Sequence, residues 1–133
     1  MDREEDRAEL EAKYRPTAEQ GDAEAQFKLG KMYFHNSSFR KEERVANWVE
    51  AEKWLRKAAD QGHAEAQFYM GRICWFGIGL PAKKPDESKA WYARAAEQGH
   101  IPSMLALGRY REVAELGYAE AQYELGKQYE DGV

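Results

Sequence analysis

Cysteine is all but missing: Cys74 is the single one in 133 residues. That excludes an intramolecular disulfide framework and a thiolate zinc site of ordinary ligand number. No long hydrophobic run occurs either. The most apolar stretch, residues 73–82, is interrupted by Gly77, Gly79 and Pro81, and it falls far short of the roughly 18 to 20 residues that cross a bilayer. No membrane span is expected. A cationic excess is lacking as well: the net charge is −4, with six acids against three bases in the first 13 residues. Bulk charge therefore argues against nucleic acid as a partner. The amino terminus, Met-Asp-Arg-Glu-Glu-Asp, has neither the cationic start nor the apolar stretch of a secretory leader. A cytoplasmic location is the expectation, to be replaced by a periplasmic or secreted one if a leader has been removed. What is present, a 43% hydrophobic content over one domain's length, suffices to build a core.

The apolar residues are organised by a repeat, which must be found before any element is assigned. Residues 18–33 read AEQGDAEAQFKLGKMY, residues 59–74 read ADQGHAEAQFYMGRIC, and residues 114–129 read AELGYAEAQYELGKQY; a weaker copy, AEQGHIPSMLALGRYR, occupies 96–111. In each copy the apolar positions after the turn glycine fall at helical spacing, as in Ala25, Leu29, Met32 and Tyr33. Gly21, Gly62, Gly99 and Gly117 stand where left-handed helix stops are expected. A second helix precedes the stop. Asn47 with Glu50 predicts its capping box, and Ala51, Trp54, Leu55, Ala58 and Ala59 its buried stripe, with Ser88, Trp91, Tyr92, Ala95 and Ala96 as the counterpart. Gly30, Gly71, Gly108 and Gly126 each fall inside the first helix of a unit, where glycine costs roughly 0.5 to 1 kcal/mol relative to alanine. Close approach of a neighbouring helix is the economical reason to retain them.

The pattern Ala-Glu-Ala-Gln-x-x-Leu-Gly-x-x-Tyr, followed by a Gly-rich loop and then Trp-x-x-Lys/Arg-Ala-Ala-x-Gln-Gly-His, resembles the Sel-one-like repeat (SLR), a relative of the tetratricopeptide repeat. The resemblance covers about residues 16–133. It implies an all-α architecture, an α/α solenoid of antiparallel helix pairs with about seven helices, serving as a non-catalytic adaptor or scaffold. Residues 1–15 are expected to form a polar capping helix, with Leu10 and Tyr14 as its few large apolar residues. Repeats follow at about 21–61 and 62–98, then a truncated half-repeat at 99–116 and a terminal helix of first-helix type at 117–133.

The truncation is visible in the spacing of the stop glycines. Only 18 residues separate Gly99 from Gly117. Residues 102–108 match the start of a first helix, and Tyr110, Val113 and Ala114 match a second one, so a single helix from about Pro102 to Glu115 is predicted. The terminal helix would then lack its usual cover, and terminal units of solenoids need a polar outer face. Homodimerisation through that helix is the alternative function. The longest connection, His35 to Ala46, is read as a loop.

In the tetratricopeptide fold the first helices line the concave surface, and the resemblance carries that register onto four pairs. They are Phe27 with Lys31, Phe68 with Arg72, Leu105 with Arg109, and Tyr123 with Lys127, each at i, i+4. Phe34, Trp75 and Phe76 add aromatic surface one turn on. Such a ladder suits a protein or peptide partner with acidic groups between apolar anchors, Arg72 and Arg109 gripping carboxylates in bidentate fashion. Solvated cations beside core aromatics are the bland alternative. No cofactor is expected. Gly77-Ile78-Gly79 follows a helix rather than a strand and lacks the companions of a phosphate loop. His63 and His100 are explained by repeat register, and His35 has no ligand at metal spacing. Cys74 replaces Tyr33 and Tyr129 on an apolar face, which predicts a packed thiol rather than a nucleophile. No enzyme activity is expected.

Overall fold

The structure, a computed structural model, describes residues 3–35, 38–117 and 127. Seven helices follow one another: α1 (Arg3–Glu19), α2 (Ala23–Phe34), α3 (Lys41–Asp60), α4 (Ala64–Phe76), α5 (Pro85–Glu97), α6 (Ile101–Ala106) and α7 (Tyr110–Glu115). Each packs mainly on the next in the chain, so antiparallel pairs stack into a solenoid.

The turn glycines make these reversals. At Gly62, with φ +95°, the N–H donates to Ala59 O, and the following His63 N–H donates to Ala58 O. This is the Schellman arrangement that satisfies the last carbonyls of a helix. Asp22 then caps α2, its carboxylate accepting from Ala25 N–H at 2.8 Å.

The stripe predicted for the second helices is buried: Ala51, Leu55, Ala58 and Ala59 have no exposed surface and Trp54 retains 2%. They meet Leu29, Met70, Ile73 and Cys74 in one continuous core. Burial of each large apolar side chain stabilises by about 1.5 to 3 kcal/mol. Burial also pushes the Cys74 thiol up to about 11, which leaves it protonated and inert.

Gly30 and Gly71 sit in helix interiors against the following helix. A Cβ on Gly30 would lie 2.7 Å from Leu55 Cγ, and one on Gly71 only 2.5 Å from the Tyr92 ring. Gly108 differs. Its φ is +76°, Arg109 N–H donates to Met104 O, and α6 stops two residues earlier. The helix predicted from Pro102 to Glu115 is therefore two short helices, broken where Gly108 takes a left-handed conformation, and a Cβ there would meet nothing within 4 Å among the described residues. The expected number of helices, about seven, is found among the described residues, but this unit supplies two of them, and the predicted terminal helix lies outside the described residues apart from Lys127.

Two other boundaries move. Helix α3 begins at Lys41, so half of the expected loop is helical and Asn47 does not cap it. Nothing in Lys-Glu-Glu-Arg-Val-Ala interrupts a helix, and Glu42 with Glu43 favours its first turn. Asn47 Oδ1 instead accepts from Arg7 of α1 at 2.6 Å, and Glu50 accepts from Trp54 Nε1 at 3.1 Å. Helix α1 runs through Pro16 to Glu19, since its last turns form the second-helix stripe of the first repeat, with buried Ala18 where Ala59 and Ala96 stand later.

A polar seam ties successive repeats. Gln26 Nε2 donates to Ala18 O at 3.0 Å, and its Oε1 accepts from Gln61 Nε2 at 2.8 Å. Gln67 repeats this with Ala59 O at 3.1 Å and Gln98 at 3.0 Å. Both acceptors are buried, at 4% and 2% exposure, and satisfied, as buried amides must be. In the third unit the same two positions are Met104 and Leu116.

Candidate functional site

The first helices α2 and α4 share a face whose side chains are aromatic and cationic. Helical period places Glu65, Phe68, Tyr69, Arg72, Trp75 and Phe76 on one side of α4, opposite buried Ala66, Met70, Ile73 and Cys74. Tyr69 bridges to α2: its ring lies 5.1 Å from that of Phe34 and 5.7 Å from that of Phe27, both edge-on. The Tyr69 hydroxyl hydrogen-bonds His35 Nε2 at 3.0 Å. Phe68 continues the row toward the third unit, 5.7 Å from Tyr92 and 5.2 Å from His100.

Arg72 lies over this platform. Its guanidinium carbon is 5.6 Å from the Phe34 centroid and 5.9 Å from those of Phe68 and Tyr69. Cation–π contacts of this kind contribute about 0.5 to 2 kcal/mol, more as water is excluded. Four other arginines hold acids: Arg15 pairs with Glu11 and Glu19, Arg40 with Glu43, Arg56 with Glu52 and Glu87, and Arg109 with Glu112, whereas Arg94, like Arg72, lies over a ring, that of Trp91. Among the described residues no carboxylate pairs with Arg72. Its field is felt nearby. His35 is held below the usual histidine range by burial and by the Lys31 and Arg72 charges. Burial raises the Tyr69 hydroxyl, with Arg72 opposing and Glu65 adding.

The predicted ladder is assembled in part. Phe34, Phe68 and Arg72 converge, while Phe27 is 4% exposed and stacked at 4.5 Å on His63. Phe27 is thus a floor rather than a contact. Lys31 is exposed, with Nζ 5.8 Å from the Phe27 centroid. Trp75 and Phe76 are open at 47% and 59%. Leu105 packs half-buried into a second cluster around Met104 and Val113. Arg109 leaves the ladder, for α6 ends at Ala106 and Arg109 precedes α7 instead. Tyr123 lies outside the described residues; Lys127, exposed, is described without its neighbours, and the dimerising face proposed for this segment lies outside them too.

Tyr69 and His35 were not singled out by sequence. Tyr69 has Lys28 and Ala106 as its repeat equivalents, so register hides it; its place three residues before Arg72 was the available signal. His63 does more than repeat register requires. Its Nδ1 accepts from Ala66 N–H at 3.2 Å, capping α4, and Nε2 contacts Glu24 at 2.7 Å. With Nδ1 accepting, Nε2 is the ring nitrogen placed to donate to Glu24.

Other chemistry has little to build on among the described residues. No group of three His, Cys, Asp or Glu side chains is placed to hold a metal. No helix is long and apolar enough to cross a membrane. A shallow groove of about 430 Å³ along α1 is lined by Ala8, Glu11, Ala12, Arg15, Pro16 and Glu19, none of them on the aromatic face.

Comparison with known proteins agrees with this architecture. A model of the Sel1 repeat matches residues 23–63, 64–100 and 119–133. Among solved structures the chain is similar to a Sel1 repeat protein from Oxalobacter formigenes, at 37% identity and a TM-score of 0.73, over 87% of this chain and 53% of that one. It thus spans about half the length of that relative. It is also similar to a protective antigen of uropathogenic Escherichia coli strains that displays an SLR fold, at 24% identity and a TM-score of 0.56, over 93% of this chain and 37% of that one. At that identity the likeness concerns the fold. No curated protein matches the chain.

Proposed function

Because the chain belongs to the Sel1 repeat family, whose members act as protein-interaction modules, we propose that it is a non-catalytic adaptor that binds a partner protein on the shared face of α2 and α4. The observation that carries this reading is the pairing of exposed Trp75 and Phe76 with the half-buried platform of Phe34, Phe68 and Tyr69. Large apolar side chains left open beside rings already fixed by their neighbours can bury area with little further ordering, which is how aromatic anchors contribute most of an interface's affinity.

The family describes interaction modules without naming this face, so the assignment rests on residues. The test uses random peptides displayed on phage and selected on the whole chain. Selected peptides are expected to lose affinity at least about tenfold on the double variant Trp75→Ser, Phe76→Ser, while its urea midpoint stays near wild type because both positions face solvent. Peptides that bind the variant equally well would move the binding site off this face.

A further inference from the structure

We infer that Arg72, together with Lys31 one repeat before it, receives two carboxylates of an extended acidic segment of the partner protein. This rests on the reading of the α2–α4 face as the binding surface and adds the partner's chemistry to it. Arg72 is the starting point: it lies across three rings and is half-buried, while Arg15, Arg56 and Arg109 all hold acids. These ring contacts give the guanidinium N–H groups no carboxylate among the described residues, and N–H groups in that planar arrangement match a carboxylate in a two-bond fork. The acid on the same side of α4, Glu65, is seven residues earlier, about 10 Å along the axis. In α2 the corresponding acid, Glu24, is already held by Lys28 and His63.

Lys31 occupies in α2 the register that Arg72 occupies in α4. Helices α2 and α4 meet through side chains, with Tyr69 and Arg72 of α4 reaching the Phe34 ring of α2, so their axes stand no closer than the roughly 10 Å of directly packed helices, and an extended chain advances about 3.3 Å per residue. Two acids about three residues apart would therefore meet Lys31 and Arg72 together. An apolar residue beside the acid on Arg72 would rest on Trp75 and Phe76. A nucleic acid fits less well, because two cations on a chain of net charge −4 offer little to a continuous phosphate backbone.

The selected peptides test this directly. The expected result is enrichment of two acidic residues about three apart with an aromatic or aliphatic neighbour. Arg72→Gln should weaken them about tenfold or more, Lys31→Gln less, and Arg72→Lys, which keeps charge and stem but not the fork, should recover part of the loss. Peptides without acids that still require Trp75 and Phe76 would overturn the carboxylate assignment and leave the binding face standing. Peptides indifferent to Arg72, Trp75 and Phe76 alike would remove both, and failure of acidic sequences to enrich would also overturn the inference. Displacement of selected peptides by a single-stranded oligothymidine, with direct oligothymidine binding lost in Arg72→Gln, would identify a nucleic-acid surface instead.

Discussion

The second repeat, α4 with α5, and the third unit, α6 with α7, begin alike: Gln-Gly-His precedes each, and a Leu/Met-Gly-Arg triplet follows eight or so residues on. Their outcomes diverge at every one of the later positions. A Cβ on Gly71, inside its helix, would meet the Tyr92 ring, whereas one on Gly108 would meet nothing within 4 Å among the described residues, and that glycine ends its helix at φ +76°. The amide of Gln67 joins two repeats, whereas Met104 joins an apolar cluster. Arg72 lies over aromatic rings with no carboxylate partner among the described residues, whereas Arg109 turns to Glu112 at 2.8 Å. The same local sequence thus acquires its role from whatever packs opposite it.

Four changes break or sharpen that contrast. The largest effect is expected at Gly71→Leu, where any Cβ meets Tyr92 at 2.5 Å; overpacking should lower stability by about 1 to 3 kcal/mol, read as a fall in the urea midpoint. A midpoint unchanged from wild type would mean that α4 and α5 are less closely apposed than described. Next comes Gln67→Met, which removes the buried hydrogen bond to Ala59 O together with the acceptor for Gln98 and should cost about 1 kcal/mol. Importing the third unit's solution, Gln67→Met with Gln98→Leu, should recover part of that, and a double-mutant cycle measures the coupling. Simple additivity would deny the seam its role.

Gly108→Ala is expected to cost about 1 kcal/mol through backbone strain alone, without the steric signature of Gly71. Replacement by Asn, which tolerates this conformation, should cost less. The smallest effect concerns pH. Burial, supplemented by His63 and opposed by Glu65, holds His100 below the usual histidine range. The folded chain therefore resists a proton that the unfolded chain accepts. The stability so contributed is complete above the usual histidine range and is lost as pH falls through it toward the folded value. The thermal midpoint should drop slightly between about pH 7.5 and 5.5, and less so in His100→Asn.

Much of this was legible because repeats compare a sequence with itself. Gly21, Gly62 and Gly99 were readable as stops, and Trp54 and Trp91 as inter-helix packing, since each recurs in register. The reading failed where equivalence of sequence concealed inequality of surroundings. Gly108 was grouped with Gly30 and Gly71, although only a tertiary neighbour distinguishes a packed glycine from a stop. Asn47 with Glu50 had the form of a capping box, yet six helix-compatible residues before it let α3 start earlier. At the site, register pointed to Phe68 and Arg72 and passed over Tyr69, the ring that differs from copy to copy and joins the two helices. Pairing was partly legible: Glu112 stands three residues after Arg109, where Arg72 has Trp75, and register alone hid the difference.

The glutamine seam bears on how the array comes apart. Each of its amides belongs to two repeats at once, so α1 to α5 are linked by bonds that depend on direction as well as contact. Beyond α5 those positions hold Met104, packed in an apolar cluster, and Leu116, largely exposed among the described residues. In a linear array whose stability is a sum of unit and neighbour terms, the weakest junction sets where opening starts. Exchange of backbone hydrogens should accordingly advance from α7 and α6 inward and slow at α5, as a zip does at its first locked tooth.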